Sequence, residues 1–255
     1  MCKCIAIPAI YRWTKTQNLT VTEQLTAGIR YFDIRTSSRP NDDNLYFVHA
    51  LYGPTVFEIL EEINSFLKLN PKEIVFIDFQ HFYRMSDEDH KRLIKFITEL
   101  FGHKIVPQTS QLLMDKITLN SLWKKGQQVF VYYRDETFRL QNPDFWPSRA
   151  LPNPWGNTVN IETLMNFLTK EVNNRPPNSM FVTQGVLTPN NSYVALHFFS
   201  SLHHYLVIDC NRNLVDWLNG KVQGPKCPNI VMCDFIEWQN YEIPKLVIKL
   251  NLNKK

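Results

Sequence analysis

Apolar and polar positions follow two different periods along the first half of the chain. Short apolar runs, rich in aromatic and β-branched residues and bounded by Gly, Ser or Pro, predict buried strands at Tyr31–Arg35, Leu45–Val48 and Ile74–Asp78. Apolar residues spaced three and four apart predict amphipathic helices at Thr55–Leu69 and Ser86–Phe101. A strand, a helix and a strand in this order predict the right-handed crossover unit of an α/β fold with parallel strands.

The capping residues support these helices, and the second half of the chain repeats the alternation. Gly53 and Pro54 are expected to open the first long helix, while Ser86 with Asp89 forms a capping-box-like start and Gly102 follows the end of the second. Further helices are predicted at Thr20–Thr26, Leu119–Lys125, Ile161–Val172, Ser192–Ile208 and Ile243–Leu250, and further strands at Gln127–Tyr133, Met180–Leu187 and Ile230–Cys233. Prolines within and beside residues 146–156 predict irregular structure there.

Charged and histidine side chains stand where several predicted strands end. Asp33 and Arg35 close the first strand, His49 follows the second, and Asp234 follows the last. In a parallel α/β barrel the carboxyl ends of the strands meet at one face, where the chemistry takes place. We therefore predict that these four side chains converge at one rim. A structural Asp–Arg ion pair and a hydrogen-bonded structural histidine are the alternatives.

The composition is that of a globular protein with one large core. The 255 residues are 44% hydrophobic and 20% charged, and this length suits one α/β barrel or two smaller domains. The net charge of +4 is mild and dispersed, which suits approach to an anionic membrane surface and does not indicate nucleic acid. No stretch approaches the ~20 apolar residues that a membrane span needs.

The cysteines and histidines indicate a reducing compartment and no metal. Five cysteines without paired spacing favour a cytoplasmic protein over a disulfide framework. Among the histidines, His203 and His204 are adjacent and face different directions on a helix, so they do not form a zinc site. Cys2 and Cys4 lie beside a short apolar segment, where acylation and a membrane anchor are one hypothesis and ordinary thiols the simpler one.

Three motifs carry a family resemblance. The run GIRYFDIR, followed by FVHALYG and by LNPKEIVFIDF, resembles the X domain of phosphatidylinositol-specific phospholipases C, as found in animal proteins made of that domain alone. The resemblance begins near Tyr11 and extends through NIVMCDFIEW to the final helix, so residues 1–10 are expected to lie outside the domain and residues 11–255 to form it. It implies a TIM-type (β/α) barrel. It also implies a phosphoric diester hydrolase that cleaves inositol phospholipid at a membrane surface to diacylglycerol and cyclic inositol phosphate.

The resemblance also implies a role for each strand-end residue. By motif, His49 would be the general acid, Arg35 the phosphate clamp and Asp33 a carboxylate that orders them. Asp234, in the VMCDF motif, would orient the general base. A guanidinium suits the clamp because its planar fork can hold two phosphate oxygens.

Two further positions bear on substrate and metal. Gln80 and His81, in the IDFQH run, would contact the substrate. Arg35 and Gln80 stand where the calcium-dependent members of the family place carboxylates, so an oxygen-rich calcium cage is not available. The resemblance is thus to the metal-independent branch, which needs no cofactor, and peripheral membrane association is expected.

One motif of the family is missing. Its first strand carries Ser-Ile-Pro-Gly-Ser/Thr-His-Asp, whose His is the general base, and nothing similar precedes Tyr11. We therefore expect an irregular and incomplete barrel that lacks its first strand, and interpret the chain as N-terminally truncated. Three interpretations of the function follow: a phosphodiesterase, an inactive module that binds inositol lipid headgroups, and an inert truncated isoform.

Overall fold

The computed structural model of the chain describes residues 3–108, 117–176, 179–224 and 226–252, with side chains from residue 7 onward. Cys2 and the side chain of Cys4 lie outside this description. Two compact units are present: one comprises Met1–Thr20 and Pro152–Lys255, and the other Val21–Leu151. No helix in the described ranges has the length and apolar character needed to cross a membrane.

Helices and strands alternate through most of the chain. The helices are α1 (Lys3–Thr14), α2 (Val21–Thr26), α3 (Val56–Leu69), α4 (Asp87–Phe101), α5 (Leu119–Lys125), α6 (Glu136–Leu140), α7 (Ile161–Asn173), α8 (Asn191–Leu196), α9 (Ile208–Asn219) and α10 (Trp238–Leu252). The strands are β1 (Tyr31–Arg39), β2 (Asp42–His49), β3 (Leu51–Thr55), β4 (Val75–Tyr83), β5 (Val129–Tyr133), β6 (Val182–Gln184) and β7 (Ile230–Met232). Short 3₁₀ turns lie at Gly102–Lys104 and Ser148–Ala150, and a π-helical turn at His203–Val207 precedes α9.

The unit Val21–Leu151 is built on a five-stranded sheet in the order β3-β2-β1-β4-β5. β1, β4 and β5 are parallel, and the connection from β1 to β4 contains the antiparallel strands β2 and β3 as well as α3. The strand that forms the parallel crossover with β4 is therefore β1 and not the predicted strand Leu45–Val48, which directly precedes the helix among the predicted elements. A β-bulge shifts the β1–β4 register between Ile34 and Arg35. One face of the sheet packs its apolar residues against α3 and α4, with Ile34, Ile77, Val131, Leu60, Ile63, Leu93 and Ile97 among the core residues.

Local capping signals set the ends of the long helices. Thr55 caps α3 and forms a capping box with Glu58, and Ser86 caps α4 and forms one with Asp89. Gly102 follows α4 with φ 49°, a conformation that costs glycine little. The predicted positions of both helices are therefore confirmed. Gly53 lies in β3 instead of opening α3, so that detail of the prediction is wrong.

The direction of β2 differs from expectation. β1 and β2 form an antiparallel hairpin, with Thr36 opposite Phe47 and Arg39 opposite Asp42, and β2 pairs antiparallel with β3. The polar residues between the two predicted strands extend both of them, which leaves only a turn between Arg39 and Asp42. The expectation that β1 and β2 present their ends as parallel strands is wrong.

In the unit Met1–Thr20 with Pro152–Lys255, β6 and β7 form a two-stranded parallel sheet, with Thr183 opposite Val231. The residue run 15–20 is bonded to the segment that follows β7, because Phe235 N donates to Thr16 O at 2.7 Å. The single helix expected over Ser192–Ile208 is wrong, since α8 ends at Leu196 and the chain becomes helical again only near His203. Strands within the described residues thus form two sheets, and no closed barrel is present among them.

Candidate active site

The polar side chains of the central strands share one face of the sheet. Alternate residues of a strand point to the same side, so Tyr31, Asp33 and Arg35 project from β1 opposite to the buried Ile34. Asp33 pairs with Asp78 of β4, and Asp78 pairs with Tyr132 of β5. Residues paired across parallel strands lie side by side, so these three residues form one polar row across the sheet.

Asp78 is the centre of this row. Its side chain is fully buried and accepts two hydrogen bonds from Arg134, Nε to Oδ1 at 2.8 Å and Nη2 to Oδ2 at 2.7 Å. The Tyr31 hydroxyl donates to Oδ2 at 2.9 Å, and Gln80 Nε2 lies 3.3 Å from the same oxygen. Arg134 also donates from Nη2 to Leu151 O at 3.1 Å. The carboxylate is therefore neutralised by a paired guanidinium whose position is fixed on two sides.

The charges of this network hold its members in defined protonation states. Burial alone would lower the pKa of Arg134, but its hydrogen bonds to Asp78 and the charge of that carboxylate raise it above its usual value. Burial, followed by the charges of Asp78 and Asp33, raises the pKa of Tyr31 well above its usual value. Tyr31 thus keeps its proton and acts as a donor to Asp78.

Asp33 and Arg35 form a looser pair beside this network. Arg35 Nε lies 3.8 Å from Asp33 Oδ1, and their side chains are 35% and 16% exposed, respectively. Burial raises the pKa of Asp33 to about 6, the charge of Arg35 opposes this, and the charge of Asp78 adds to it. Asp33 Oδ1 has no hydrogen-bond partner among the described residues. Arg35 therefore keeps donors and exposed surface for a ligand, and Asp33 titrates close to neutral pH.

His49 ends β2 at the same end of the hairpin as Arg35. Thr36 pairs with Phe47, so Arg35 lies one residue before this pair and His49 two residues after it. His49 is half-buried and pairs with Leu51 around Ala50, whose φ is 58°. The structure thus brings Asp33, Arg35 and His49 to neighbouring positions of one sheet.

Gln80 and His81 extend the polar face along β4. Gln80 Nε2 donates to the Tyr31 hydroxyl at 3.2 Å, and His81 pairs with Arg35 in the β1–β4 register. Partial burial, then the charges of Arg35 and Arg134, lower the pKa of His81, so its imidazole is neutral near pH 7. A neutral imidazole can accept a hydrogen bond as well as donate one.

Asp234 belongs to the other unit, where it follows β7 and its backbone oxygen accepts from Asn211 Nδ2 at 2.9 Å. Its convergence with Asp33, Arg35 and His49 stays a prediction.

The central ion pair was not predicted as part of the site. Asp78 is the charged residue inside an apolar run, and Arg134 directly follows β5. A charged residue at the end of a predicted strand was therefore the sequence signal that could have identified both. The Tyr132 hydroxyl, in the same row, is buried and has no hydrogen-bond partner within the described part of the chain. No group of three or more His, Cys, Asp or Glu residues in that part is arranged to hold a metal ion.

Comparison with known proteins identifies the family of this chain. The PI-PLC X family model matches residues 11–144. PI-PLC X domain-containing protein 2 of Mus musculus is 40% identical over 246 residues, which cover 94% of this chain and 70% of the relative. PI-PLC X domain-containing protein 3 of Homo sapiens is 38% identical over 250 residues, covering 97% and 76%. The chain belongs to the PI-PLC X domain family.

Solved structures show the same fold at lower identity. A phosphatidylinositol-specific phospholipase C from Listeria monocytogenes aligns with a TM-score of 0.67 at 21% identity, covering 95% of this chain and 87% of that one. A phosphatidylinositol-specific phospholipase C from Staphylococcus aureus aligns with a TM-score of 0.69 at 15% identity, covering 97% of this chain and 87% of that one. This PI-PLC X family member therefore has the α/β fold of these enzymes in an irregular form whose barrel is incomplete, as expected from the sequence.

Proposed function

We propose that this chain is a phosphoric diester hydrolase of the phospholipase C type, which cleaves an inositol phospholipid at a membrane surface. The products are diacylglycerol and cyclic inositol phosphate. The proposal is supported mainly by Arg35, a partly exposed guanidinium beside the largely buried carboxylate of Asp33 in β1, with His49 ending the adjacent strand. We assign residues 11–255 to the catalytic domain and propose that it works in the cytoplasm as a peripheral membrane protein.

The proposed reaction is a displacement at phosphorus within the substrate. The inositol 2-hydroxyl attacks the phosphate, a new P–O bond closes the ring, and the P–O bond to glycerol breaks. Arg35 binds the phosphate oxygens as negative charge builds up on them. His49, in its protonated form, donates a proton to the leaving glycerol oxygen, and a general base takes the proton of the attacking hydroxyl.

The remaining residues position these groups. Asp33 lies beside Arg35 and is proposed to orient it and His49 through its carboxylate. Gln80 and His81 are proposed to contact the inositol ring, since both lie on the polar face of the sheet beside Arg35. Asp234 is proposed to orient the general base.

A second candidate is an inactive module that binds inositol lipid headgroups through Arg35. It is favoured because the 255-residue sequence contains no Ser-Ile-Pro-Gly-Ser/Thr-His-Asp motif to supply the base. Removing a general base typically lowers a rate by about 10² to 10⁴. We therefore expect slow turnover by the 255-residue polypeptide and faster turnover when a segment bearing this motif is fused in front of it.

The test measures both product and binding. Release of cyclic inositol phosphate from phosphatidylinositol vesicles is measured for the polypeptide with and without the fused segment, each also as His49→Ala and Arg35→Lys. Arg212→Gln, at an exposed position, is the control. Turnover that falls by about 10² or more in His49→Ala supports the hydrolase. Headgroup binding that depends on Arg35 without any product supports the binding module. Turnover equal in all variants refutes the assigned roles.

A further inference from the structure

Several lysines lie near the amino-terminal ends of β4 and β5, in the unit Val21–Leu151. They come from three stretches of the chain: the end of α3 with the connection to β4, the 3₁₀ turn after α4, and the end of α5. We call these lysines the basic patch, and its members are Lys68, Lys72, Lys104, Lys124 and Lys125. Four of the side chains are exposed, and that of Lys104 is half-buried.

Hydrogen bonds around Gln128, which directly precedes β5, hold the three stretches together. The buried Gln128 side chain donates from Nε2 to Asn70 O at 2.9 Å, in the connection that carries Lys72. Gln128 N donates to Lys104 O at 2.7 Å. Trp123 Nε1 of α5 donates to Lys72 O at 2.8 Å. The lysines therefore stand on one fixed surface.

Two lysines of the patch are direct neighbours. Asn64 and Lys68 lie four residues apart, so they share one face of α3. Lys104 Nζ donates to Asn64 Oδ1 at 2.6 Å, which brings it beside Lys68. Partial burial, followed by the charge of Lys68, lowers the pKa of Lys104. The two ammonium groups thus repel each other across this face.

Nearby carboxylates do not compensate this charge. In the sequence of the three stretches, residues 64–73, 102–108 and 117–128, the one carboxylate belongs to Glu73, which binds Arg30 Nε at 2.7 Å. Within the described ranges, no lysine of the basic patch forms an ion pair. A concentration of one sign of charge costs stability and attracts partners of the opposite sign.

Exposed apolar side chains border the lysines. Leu69 is 83% exposed and directly follows Lys68, and Leu119 is 55% exposed one helical turn before Trp123 on α5. Lys72 Nζ lies 5.5 Å from the centroid of the Trp123 ring, so this ring is not open for stacking with a nucleic-acid base. The surface therefore suits a partner that offers carboxylates and apolar side chains together.

The basic patch lies at the opposite end of the sheet from Arg35. β4 runs from Val75, beside the patch, to Gln80, beside the pair of His81 with Arg35. Five residues of a strand span about 16 Å. A membrane that reaches Arg35 therefore leaves the patch uncovered, and a protein segment can occupy it at the same time.

We propose that the basic patch is the docking site of an acidic protein segment, whose carboxylates pair with the lysines and whose apolar side chains contact Leu69 and Leu119. Such a contact is formed through exposed charges, so it strengthens at low ionic strength and is screened by added salt. The proposal is independent of the proposed hydrolase activity, because none of these residues lies on the polar face that carries Arg35.

The test measures binding of the full chain to a fluorescently labelled peptide of glutamates and leucines, by anisotropy at low ionic strength. The same peptide with glutamine in place of glutamate, and another with serine in place of leucine, test the two kinds of contact. Single-stranded RNA and vesicles of phosphatidylcholine with phosphatidylserine represent the other anionic partners. The variants are Lys68→Gln with Lys72→Gln, Lys124→Gln with Lys125→Gln, and all four together.

Two controls separate the patch from other charges. Lys91→Gln with Lys95→Gln removes two lysines of α4 that are 59% and 74% exposed. Arg35→Gln removes the cation of the polar face. Both should bind the glutamate peptide as wild type does, and thermal melting checks the folding of every variant.

Each pair of patch substitutions is expected to weaken binding of the glutamate peptide about fivefold and the combination about 25-fold, because several exposed ion pairs are lost. The serine peptide should bind about fivefold more weakly than the leucine peptide, and the glutamine peptide should not bind. The inference is overturned if wild type does not bind the glutamate peptide, if the serine peptide binds equally well, or if either control weakens binding as much as the patch pairs do. Tighter binding of RNA or vesicles through the same lysines would also overturn it.

Discussion

Removing the charge of Asp78 tests the role of the polar row most directly. In Asp78→Asn the side chain keeps its shape, but Arg134 then faces a neutral amide in place of a fully buried carboxylate with bonds of 2.7 and 2.8 Å. Breaking one partner of a buried ion pair costs about 3–5 kcal/mol. Arg134 is 18% exposed and keeps its bond to Leu151 O, so we expect the lower end of this range.

The measurement is the free energy of unfolding from urea titration, together with the melting temperature. A loss of about 3 kcal/mol corresponds to a fall in melting temperature of roughly 6–12 °C for a chain of this size. The control is Asp209→Asn, which breaks an exposed pair with Arg212 at 3.2 Å and should change stability by at most about 0.5 kcal/mol.

A double-mutant cycle separates the ion pair from other effects. Arg134→Gln alone leaves a buried carboxylate without its cation, whereas the combination with Asp78→Asn leaves no uncompensated charge. The double variant should therefore lose less free energy of unfolding than the two single variants lose together. An effect of Asp78→Asn no larger than that of Asp209→Asn, or strictly additive losses, would refute this reasoning.

Three further predictions concern pH, calcium and packing. Burial raises the pKa of Asp33 from 3.8 to about 6, so its contribution to stability is complete below pH 3.8 and is lost as the pH rises through about 6. Asp33→Asn should therefore stabilise the protein at pH 7 in urea titrations, and an advantage that does not shrink toward pH 4 would contradict this. Calorimetric titration with calcium should give no saturable heat, because Arg35 takes the place of a ligand; saturable binding that is lost in Asp33→Asn would count against it. Gly185→Ala should cost about 1–3 kcal/mol in thermal unfolding because the new Cβ would lie 2.5 Å from the buried Leu214, whereas Gly220→Ala should have little effect, and equal effects would argue against overpacking.

The helices could be predicted because their signals are local. The capping box of Ser86 with Asp89 fixes the start of α4, and Gly102 fixes its end, without reference to the rest of the chain. The same holds for α5, which Thr118 caps and Gly126 ends in the left-handed region. Sequence alone specifies these boundaries because each depends on side chains within one helical turn.

The direction of β2 could not be read from its apolar pattern, because a buried strand has the same composition whichever way it runs. The length of the connection held the missing signal. The polar stretch between Arg35 and Leu45 is too short for the crossover of a dozen or more residues that parallel strands need. Its shortness indicates a hairpin, and the structure places the turn between Arg39 and Asp42.

The partners of Asp78 depend on register between distant parts of the chain. Arg134 is 56 residues away from Asp78 in sequence. It reaches Asp78 only because β4 pairs with β5 in a register that puts Asp78 beside Tyr132. A strand-end pattern identifies such residues as candidates, but the pairing follows from the sheet. This explains why Asp33, Arg35 and His49 were named from the sequence while the ion pair beside them was missed.

The strand β3 ends on Thr55, the residue that also caps α3, and this has an evolutionary consequence. One added residue between His49 and Thr55 would either turn the histidine to the opposite side of the sheet or pull Thr55 out of its cap. The turn at Pro40 and Asn41 bears no such constraint, since it is exposed and Asn41 already adopts a φ of 59°. Relatives of this chain should therefore differ in length at the Arg39–Asp42 turn and keep a constant spacing from the histidine to the start of the helix.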